Sequence, residues 1–449
     1  MLTIKANNPK LKSFIEIDKD CHFPIQNLPF GMFSKISEDK TYQRIGVAIG
    51  QYIFDVKAAY SEGLLPDFNL DITQMKTLND LFQYGREKVR ELRQIISDLL
   101  NSETATLRDN KTLLAKVLIK QSDCTLYLPI DVKGFTDFYS SREHAENVGK
   151  MFRDKDNPLL PNWLHLPVAY DGRAGSVVVS GTQVMRPNGQ IKPNPDEAPI
   201  FSPSKALDVE VEMGAIIGLP SQHGQQVTMD QAPEHVIGMV LVNDWSARDI
   251  QKWEYQPLGP FLSKNFATSI SPWVVTLDAL EPFRVESPKQ EPSVLDYLKR
   301  QEDWAVDITL ELSIKAARQL DYEVISITNY KYMYWDMMQQ LAHHSINGCP
   351  MMTGDILASG TISGKTKDSL GCFLEITEGG KHPIVLKNGE KRVFLQDGDS
   401  ACIQGFCQGV GYKIGFGDLI GEIVPFSSTL VNNNAQRKDE HESKQQVCF

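Results

Sequence analysis

Residues 207 to 214 read LDVEVEMG, with Leu207, Val209, Val211 and Met213 apolar and Asp208, Glu210 and Glu212 acidic between them. A period of two predicts a strand with one apolar face and all three carboxylates on the other. Carboxylates two residues apart on a strand lie about 7 Å from each other, and at an effective dielectric of about 20 each such pair repels by roughly 2 kcal/mol. A solvated face would screen most of that, so the row raises the question of what it faces. Upstream, Leu78, Leu81, Phe82, Val89, Leu92, Ile95, Ile96, Leu99 and Leu100 follow a 3.6-residue period and predict a helical stretch, with Thr77 and Asp80 as its cap. A shorter helix is expected from Leu113 to Ile119. Residues 14 to 60, including FPIQNLPFGMF and RIGVAIGQYIFDV, read as strands and turns.

Beyond residue 130 the pattern changes to short apolar runs divided by Gly, Pro and Asn: GSVVVSG, VIGMVLV, SPWVVTL, WAVDITLELSI, GDILASGTISG and DSACIQGF. That predicts a β-rich region of some 300 residues with a few inserted helices. The glycine-dense GFCQGVGYKIGFGDLIG lacks the dinucleotide-binding spacing and reads as turns. The expected organisation is an arm over 1–13, an N-terminal domain over 14–128 with a helical segment, a larger domain over 129–426, and a polar, disordered tail over 427–449. The fold class is mainly β with inserted helices.

Composition narrows the function classes. The 449 residues are 41% hydrophobic and 23% charged, ordinary for a soluble globular protein. With 46 Lys plus Arg against 57 Asp plus Glu, the net charge of −11 argues against nucleic acid or an anionic membrane surface as the main partner. No run of 18 apolar residues occurs and the N-terminal stretch has no hydrophobic signal region, so a cytoplasmic protein is expected. The seven cysteines are scattered without a C-x-x-C pair, and read as core or incidental thiols.

Three further stretches supply chemistry. In VIGMVLVNDWSARDIQKWEY a strand runs into a helix; Ser246 and Asp249 form an S-x-x-D cap, placing Asp244 at the junction and Arg248, Gln251 and Tyr255 on one helical face. In DFYSSREHAENVGKMFR, Ser140 and Glu143 form a second cap, with Asp137 and Tyr139 just before the helix, His144 inside it and Arg153 beyond. A lone helical histidine is more often structural; the neighbouring Asp137 and Tyr139 give this one its interest. In GDILASGTISG and SLGCFLEI, Thr361 sits in a turn and Glu375 interrupts an apolar strand, at an edge or as a partner for an imidazole. Convergence of Asp137, Glu210, Glu212 and Asp244 would create a formal charge of −4 that must protonate or bind a cation. An all-oxygen donor set selects Mg²⁺ or Ca²⁺ over zinc.

FPIQNLPFG, DFYSSREHAENVG, LLPNWLHLPVAY, VNDWSARDIQKWEYQPLGPF and LASGTISG together resemble the fumarylacetoacetate hydrolase family, over about residues 14 to 426. The resemblance implies a small SH3-like N-terminal barrel, a larger C-terminal β-sandwich roll holding the site, a homodimer, and metal-dependent hydrolysis of the carbon–carbon bond of 4-fumarylacetoacetate, the last step of tyrosine catabolism. Position by position it implies Asp137, Glu210, Glu212 and Asp244 as metal carboxylates, leaving Asp208 without a role. Lys264 and Thr268 match positions beside the metal, Lys264 acting electrostatically because an ammonium is a poor ligand. His144 matches the water-activating base and Glu375 its carboxylate partner. Arg248, Gln251 and Lys264 match the oxyanion-stabilising groups, and Tyr139, Arg153, Tyr170, Gln251, Tyr255 and Thr361 the substrate contacts. The sequence departs from the family at Ser263 and Ala267, where glycines are usual, and at Asp171, where a histidine is common. A positive φ at Ser263 or Ala267 would strain the Lys264 loop. Two rivals remain at this point: another reaction on the same fold, such as acylpyruvate hydrolysis or oxaloacetate decarboxylation, whose enzymes usually lack the N-terminal domain; and a binding or scaffolding protein with an inactive fold.

Overall fold

The computed structural model describes residues 4–426 apart from Asp154. The expectation of disorder over 427–449 lies outside the described residues. The chain is mainly β with inserted helices. Its N-terminal part carries a five-stranded antiparallel sheet in the order Leu118–Lys120, Tyr52–Asp55, Arg44–Ile49, Phe30–Lys35, Cys124–Tyr127. The central sheet of the larger part runs Ala169–Asp171, Phe135–Phe138, Ile356–Ala358, Val211–Ile217, Val236–Asn243, Thr268–Ile270, Val177–Val179, with Val275–Thr276 also paired to Val236–Asn243. Two of its pairings are parallel, Ile356–Ala358 with Phe135–Phe138 and Thr268–Ile270 with Val177–Val179. A third sheet runs Glu323–Asn329, Thr309–Lys315, Ser400–Gln408, Lys413–Val424 and Val184–Met185, and short two-stranded pairings lie beside these three.

The central sheet is covered on both faces, which is why its strands read as unbroken apolar runs. Along Val236–Asn243, Met239 and Leu241 enter a core shared with the third sheet, while Ile237, Val240 and Val242 enter a core shared with the N-terminal sheet and helices. Met213, Ala215 and Ile217 likewise face the first core and Ile216 the second. Polar ties reinforce the contact. The fully buried Arg93 donates to the carbonyl oxygens of Gln26 and Asn27, and the Asn27 amide donates to the Gly415 carbonyl at 2.8 Å. Arg86 and Arg90 both pair with Asp278 at 2.5 Å.

Several local expectations change in the folded chain. The predicted stretch from Leu78 divides into a single turn, Asn79–Phe82, and a helix, Gly85–Leu100, because Gly85 takes a φ of +79° between them. The helix expected to Ile119 stops at Val117, and Leu118 and Ile119 enter the N-terminal sheet. The glycine-dense segment forms mostly the strands Ser400–Gln408 and Lys413–Val424 rather than turns. Its glycines admit close packing: a Cβ on Gly421 would lie 2.3 Å from the Trp245 ring, and one on Gly405 2.7 Å from Leu241 Cδ2. Pattern alone does not distinguish such contact glycines from turn glycines.

Gly360 marks where two neighbouring strands hand over to the site. It follows Ile356–Ala358 with φ +76°, and a Cβ there would stand 2.1 Å from the Phe138 carbonyl oxygen. Gly360→Ala is therefore expected to destabilise the fold by about 2–3 kcal/mol, read as a lower urea midpoint with an unchanged m-value.

Candidate active site

Asp137, Glu210, Glu212 and Asp244, separated by up to 107 positions in the chain, converge at one end of the central sheet, with ligand-capable atoms all within 4.8 Å of one another and every residue buried. Register brings them there. Asp137 pairs with Ala358 on one side and Tyr170 on the other, Gly214 pairs with Ala358, and Glu212 pairs with Val242, two residues before Asp244. The row LDVEVEMG keeps its alternation but not an unbroken strand: Leu207–Asp208 and Val211–Ile217 pair with different neighbours, and Glu210 bridges Cys372. The Glu210 backbone N–H donates to Asn243 Oδ1 at 3.1 Å. All three acids of the row face the interior rather than solvent.

The four carboxylates have different partners, and the surroundings push Glu210 one way and Asp137 and Glu212 the other. Burial disfavours the Glu210 anion, but Lys264 and Arg248 outweigh it and hold Glu210 well below the usual carboxylate range. Its oxygens meet Lys264 Nζ and Arg248 Nη1, the latter at 2.6 Å. Asp244 accepts from Lys264 Nζ at 2.7 Å, Thr268 Oγ1 at 2.8 Å and the Tyr170 hydroxyl at 3.0 Å. Lys264, wholly buried, is kept charged by Asp244 and Glu210 against the cost of burial. Burial, then the charge of Asp244, raises Asp137; burial, then Asp137 and Glu210, raises Glu212 well above the ordinary value. Among the described residues, no hydrogen-bond donor reaches the buried Asp137 Oδ1 or either buried oxygen of Glu212. Buried acceptors of this kind are rare unless something absent from the chain satisfies them. Oxygen donors alone, net negative charge and unpartnered buried atoms fit a hard divalent cation.

Beside this cluster, His144 Nδ1 and Glu375 Oε2 lie 2.6 Å apart, both buried. Burial would raise the Glu375 pKa, but His144, Asn147 and Ser363 together bring it down to about 2. Asn147 donates to Oε1 at 2.9 Å and Ser363 to Oε2 at 2.8 Å. An ionised Glu375 places the imidazole proton on Nδ1 and leaves the Nε2 lone pair free. The structure revises both caps and the Glu375 element. Ser141, not Ser140, caps the His144 helix, accepting from the His144 backbone N–H at 3.3 Å, while Ser140 Oγ accepts from Gln340. Ser246 donates to the Asp244 carbonyl in a short strand and does not cap the helix Arg248–Glu254, while Asp249 accepts from Ser204, from Lys205 and from the first-turn backbone N–H of Ile250 at 3.0 Å. Glu375 lies in a one-turn helix, Phe373–Ile376, rather than a strand; four residues are too few for periodicity to separate the two.

The remaining candidates surround these groups at different depths. Tyr139 packs its ring edge-on to His144 with centroids 5.2 Å apart. Thr361 is buried just after Ile356–Ala358. Arg248 Nη1 donates to Gln251 Oε1 at 3.2 Å, and its Nη2 is buried without a partner. Tyr255 stands at the end of the Arg248 helix, 46% exposed, and the exposed Arg153 donates to the Pro158 carbonyl. A cavity of about 220 Å³ opens on Tyr170, Asp244, Lys264 and Thr268 and extends to Phe135, Arg173 and Asn265. Ser263 and Ala267 do not adopt positive φ, so their side chains do not strain the Lys264 loop. Asp171 accepts from Thr136 Oγ1 at 3.2 Å. Asn147 and Ser363, which steady Glu375, were not singled out by sequence; Asn147 lies at i+3 of His144 on the same helical face, a spacing that could have suggested it.

A model described as fumarylacetoacetate (FAA) hydrolase C-terminal matches residues 133–424, and one described as fumarylacetoacetase N-terminal matches residues 26–129. The chain belongs to the fumarylacetoacetate hydrolase family. It is 49% identical over 423 residues to the fumarylacetoacetase of Dictyostelium discoideum, covering 92% of this chain and 98% of that one. Over 416 residues it is 49% identical to the human fumarylacetoacetase, covering 92% and 99%. A fumarylacetoacetate hydrolase structure from Exiguobacterium antarcticum shares the fold with a TM-score of 0.50 at 18% identity, covering 89% of this chain and all of that one.

The charge pattern yields a test independent of turnover. Asp137 and Glu212 have folded-state pKa values above their unfolded ones, so without a cation their contribution to stability is present below the ordinary carboxylate range and is lost as pH rises through their raised values. At neutral pH, Mg²⁺ or Ca²⁺ should raise Tm in a concentration-dependent way. Glu212→Gln should raise the Tm of the cation-free protein and shrink the cation-induced shift, both readable by scanning calorimetry with and without EDTA.

Proposed function

We propose that this chain hydrolyses the carbon–carbon bond of 4-fumarylacetoacetate to fumarate and acetoacetate, as the last step of tyrosine and phenylalanine catabolism. The observation that carries this reading is the buried His144–Glu375 pair set beside a carboxylate cluster with unpartnered oxygens. Asp137, Glu210, Glu212 and Asp244 would hold the cation, Mg²⁺ or Ca²⁺, with Thr268 and Lys264 supporting Asp244 and Glu210. When bound, it would supply positive charge that polarises the substrate's dicarbonyl.

The protein's own groups account for the rest. His144 Nε2 removes a proton from water, and Glu375 stabilises the resulting imidazolium through Nδ1. The hydroxide adds to the carbonyl carbon of the fumaryl group. Arg248, with the unpartnered Nη2, and the Gln251 amide donate to the oxyanion, while Lys264 contributes positive charge; one such preorganised donor is worth about 3 kcal/mol. Collapse of the oxyanion breaks the carbon–carbon bond, the electron pair leaves as the acetoacetate enolate, and protonation at carbon completes the reaction. Tyr139, Tyr170 and Thr361 line the interior of the substrate site, and Arg153 and Tyr255 grip its carboxylate ends from the rim.

The wider reading follows from the same likeness. Residues 14–128 form an SH3-like barrel with attached helices and 129–426 the catalytic β-sandwich roll. The chain works as a cytoplasmic homodimer. Leu258 and Phe261, 94% and 67% exposed beside the site, are apolar surface of the kind a second copy covers. Sedimentation equilibrium should return twice the chain mass.

The deciding assay strips the protein with EDTA and follows loss of the diketo absorbance of fumarylacetoacetate with and without Mg²⁺ or Ca²⁺. Cation-dependent loss yielding fumarate and acetoacetate is expected, and faster turnover of acylpyruvates would move the reading to another reaction on this fold. His144→Ala should abolish turnover while leaving the fold and cation binding intact. Appreciable activity in that variant would remove His144 from the role of base.

A further inference from the structure

Asp208 is the one acid of the LDVEVEMG row outside the cation cluster, and it is fully buried. Its carboxylate is saturated with donors. Oδ1 accepts from the backbone N–H of Phe373 at 2.7 Å and of Val209 at 2.8 Å; Oδ2 accepts from Arg248 Nε at 2.8 Å and from the backbone N–H of Leu374 at 3.0 Å. Phe373 and Leu374 open the one-turn helix that carries Glu375, and the helix's own N-cap residue, Cys372, offers no side-chain cap. A helix this short cannot support itself, and its first-turn N–H groups need acceptors from elsewhere in the fold. Its cap comes instead from 165 positions away in the chain.

The same carboxylate fixes Arg248. With Nε on Asp208 and Nη1 on Glu210 and Gln251, the guanidinium plane is held from two sides and Nη2 is left buried and unpartnered. A cation in the cluster would draw on the Glu210 oxygens. Asp208, already saturated by N–H donors, is no ligand and remains an anchor for Arg248 whatever Glu210 does. We propose that Asp208 is a positioning residue that holds the Arg248 guanidinium and the Glu375 helix in one geometry, coupling the oxyanion-binding side of the site to its base. The proposal rests on the reading of Arg248 and the His144–Glu375 pair as catalytic.

The test compares steady-state hydrolysis of fumarylacetoacetate, with Mg²⁺ affinity by calorimetry, in the full-length wild-type chain and the variants Asp208→Asn, Arg248→Met, Glu375→Gln and both doubles containing Asp208→Asn. Asparagine turns an N–H donor toward Arg248 Nε, so kcat should fall ~100-fold while KM and the Mg²⁺ Kd stay within about threefold. The kcat losses of the doubles should fall about tenfold short of the product of the singles, because the side chains act partly as a unit. Multiplying losses, a kcat within about threefold of wild-type, or a loss of Mg²⁺ affinity as large as the loss of activity would overturn the proposal. Should Asp208→Asn alone not fold, the Asp208→Asn/Arg248→Met double removes a buried charge together with its counter-charge, a gentler change. Its kcat should then lie ~10-fold below that of Arg248→Met through the loosened Glu375 helix, and equal values would overturn the proposal. No turnover by the wild-type chain would overturn the functional reading and this proposal together; an active wild-type with an unaffected Asp208→Asn would overturn this proposal alone.

Discussion

Five buried carboxylates at one end of the central sheet, Asp137, Asp208, Glu210, Glu212 and Asp244, must be balanced for this fold to hold together. Two side-chain cations stand among them. Lys264 pairs with Glu210 and Asp244, and Arg248 with Asp208 and Glu210. The compensation is unequal, and that inequality sorts near-identical groups into different work. Glu210 stays ionised between two cations. Asp208 is saturated by donors. Asp137 and Glu212 are pushed toward the protonated form and keep oxygens without donors, the state in which a carboxyl group exchanges its proton for a metal ion.

Such an arrangement needs a rigid and dry surrounding. The central sheet has one face against the third sheet and the other against the N-terminal strands and helices, so the carboxylates project from a scaffold with little freedom to relax. Low polarity around them strengthens every charge interaction, favourable or not. The N-terminal segment thus bears on the chemistry without contributing a side chain to it: Arg93, Arg86 and Arg90 tie its long helix to the chain around Asn27 and Asp278, and its apolar residues close the second core.

The His144–Glu375 pair lies on a different kind of support. His144 sits in an ordinary helix, whereas Glu375 sits on a single turn whose N–H groups are capped from the LDVEVEMG row. Glu210 also bridges Cys372, the residue before that turn. The carboxylate cluster and the His144–Glu375 pair are therefore built on one continuous backbone arrangement, while Arg153 and Tyr255 stand on exposed helix ends.

Local pattern was enough to identify the alternating row, the apolar runs of the central sheet and the 3.6-residue period before Leu100. Long motifs carried the family and nominated His144, Glu375 and the four carboxylates. Pattern could not say that Asp137, Glu210, Glu212 and Asp244 meet, because their proximity comes from strand register across separate parts of the chain. It misjudged elements where a few residues decide the outcome: the Glu375 turn, the serine that caps the His144 helix, and the glycines that admit Trp245 and Leu241 rather than forming turns. Asp208 shows the division most plainly. In sequence it is indistinguishable in kind from Glu210 and Glu212, and only the tertiary structure, by bringing Arg248 and the N–H groups of Phe373 and Leu374 onto its oxygens, makes it an anchor instead of a ligand. Side-chain spacing is written into a strand's period, but the charge state and partners of a buried group depend on what the fold packs against it.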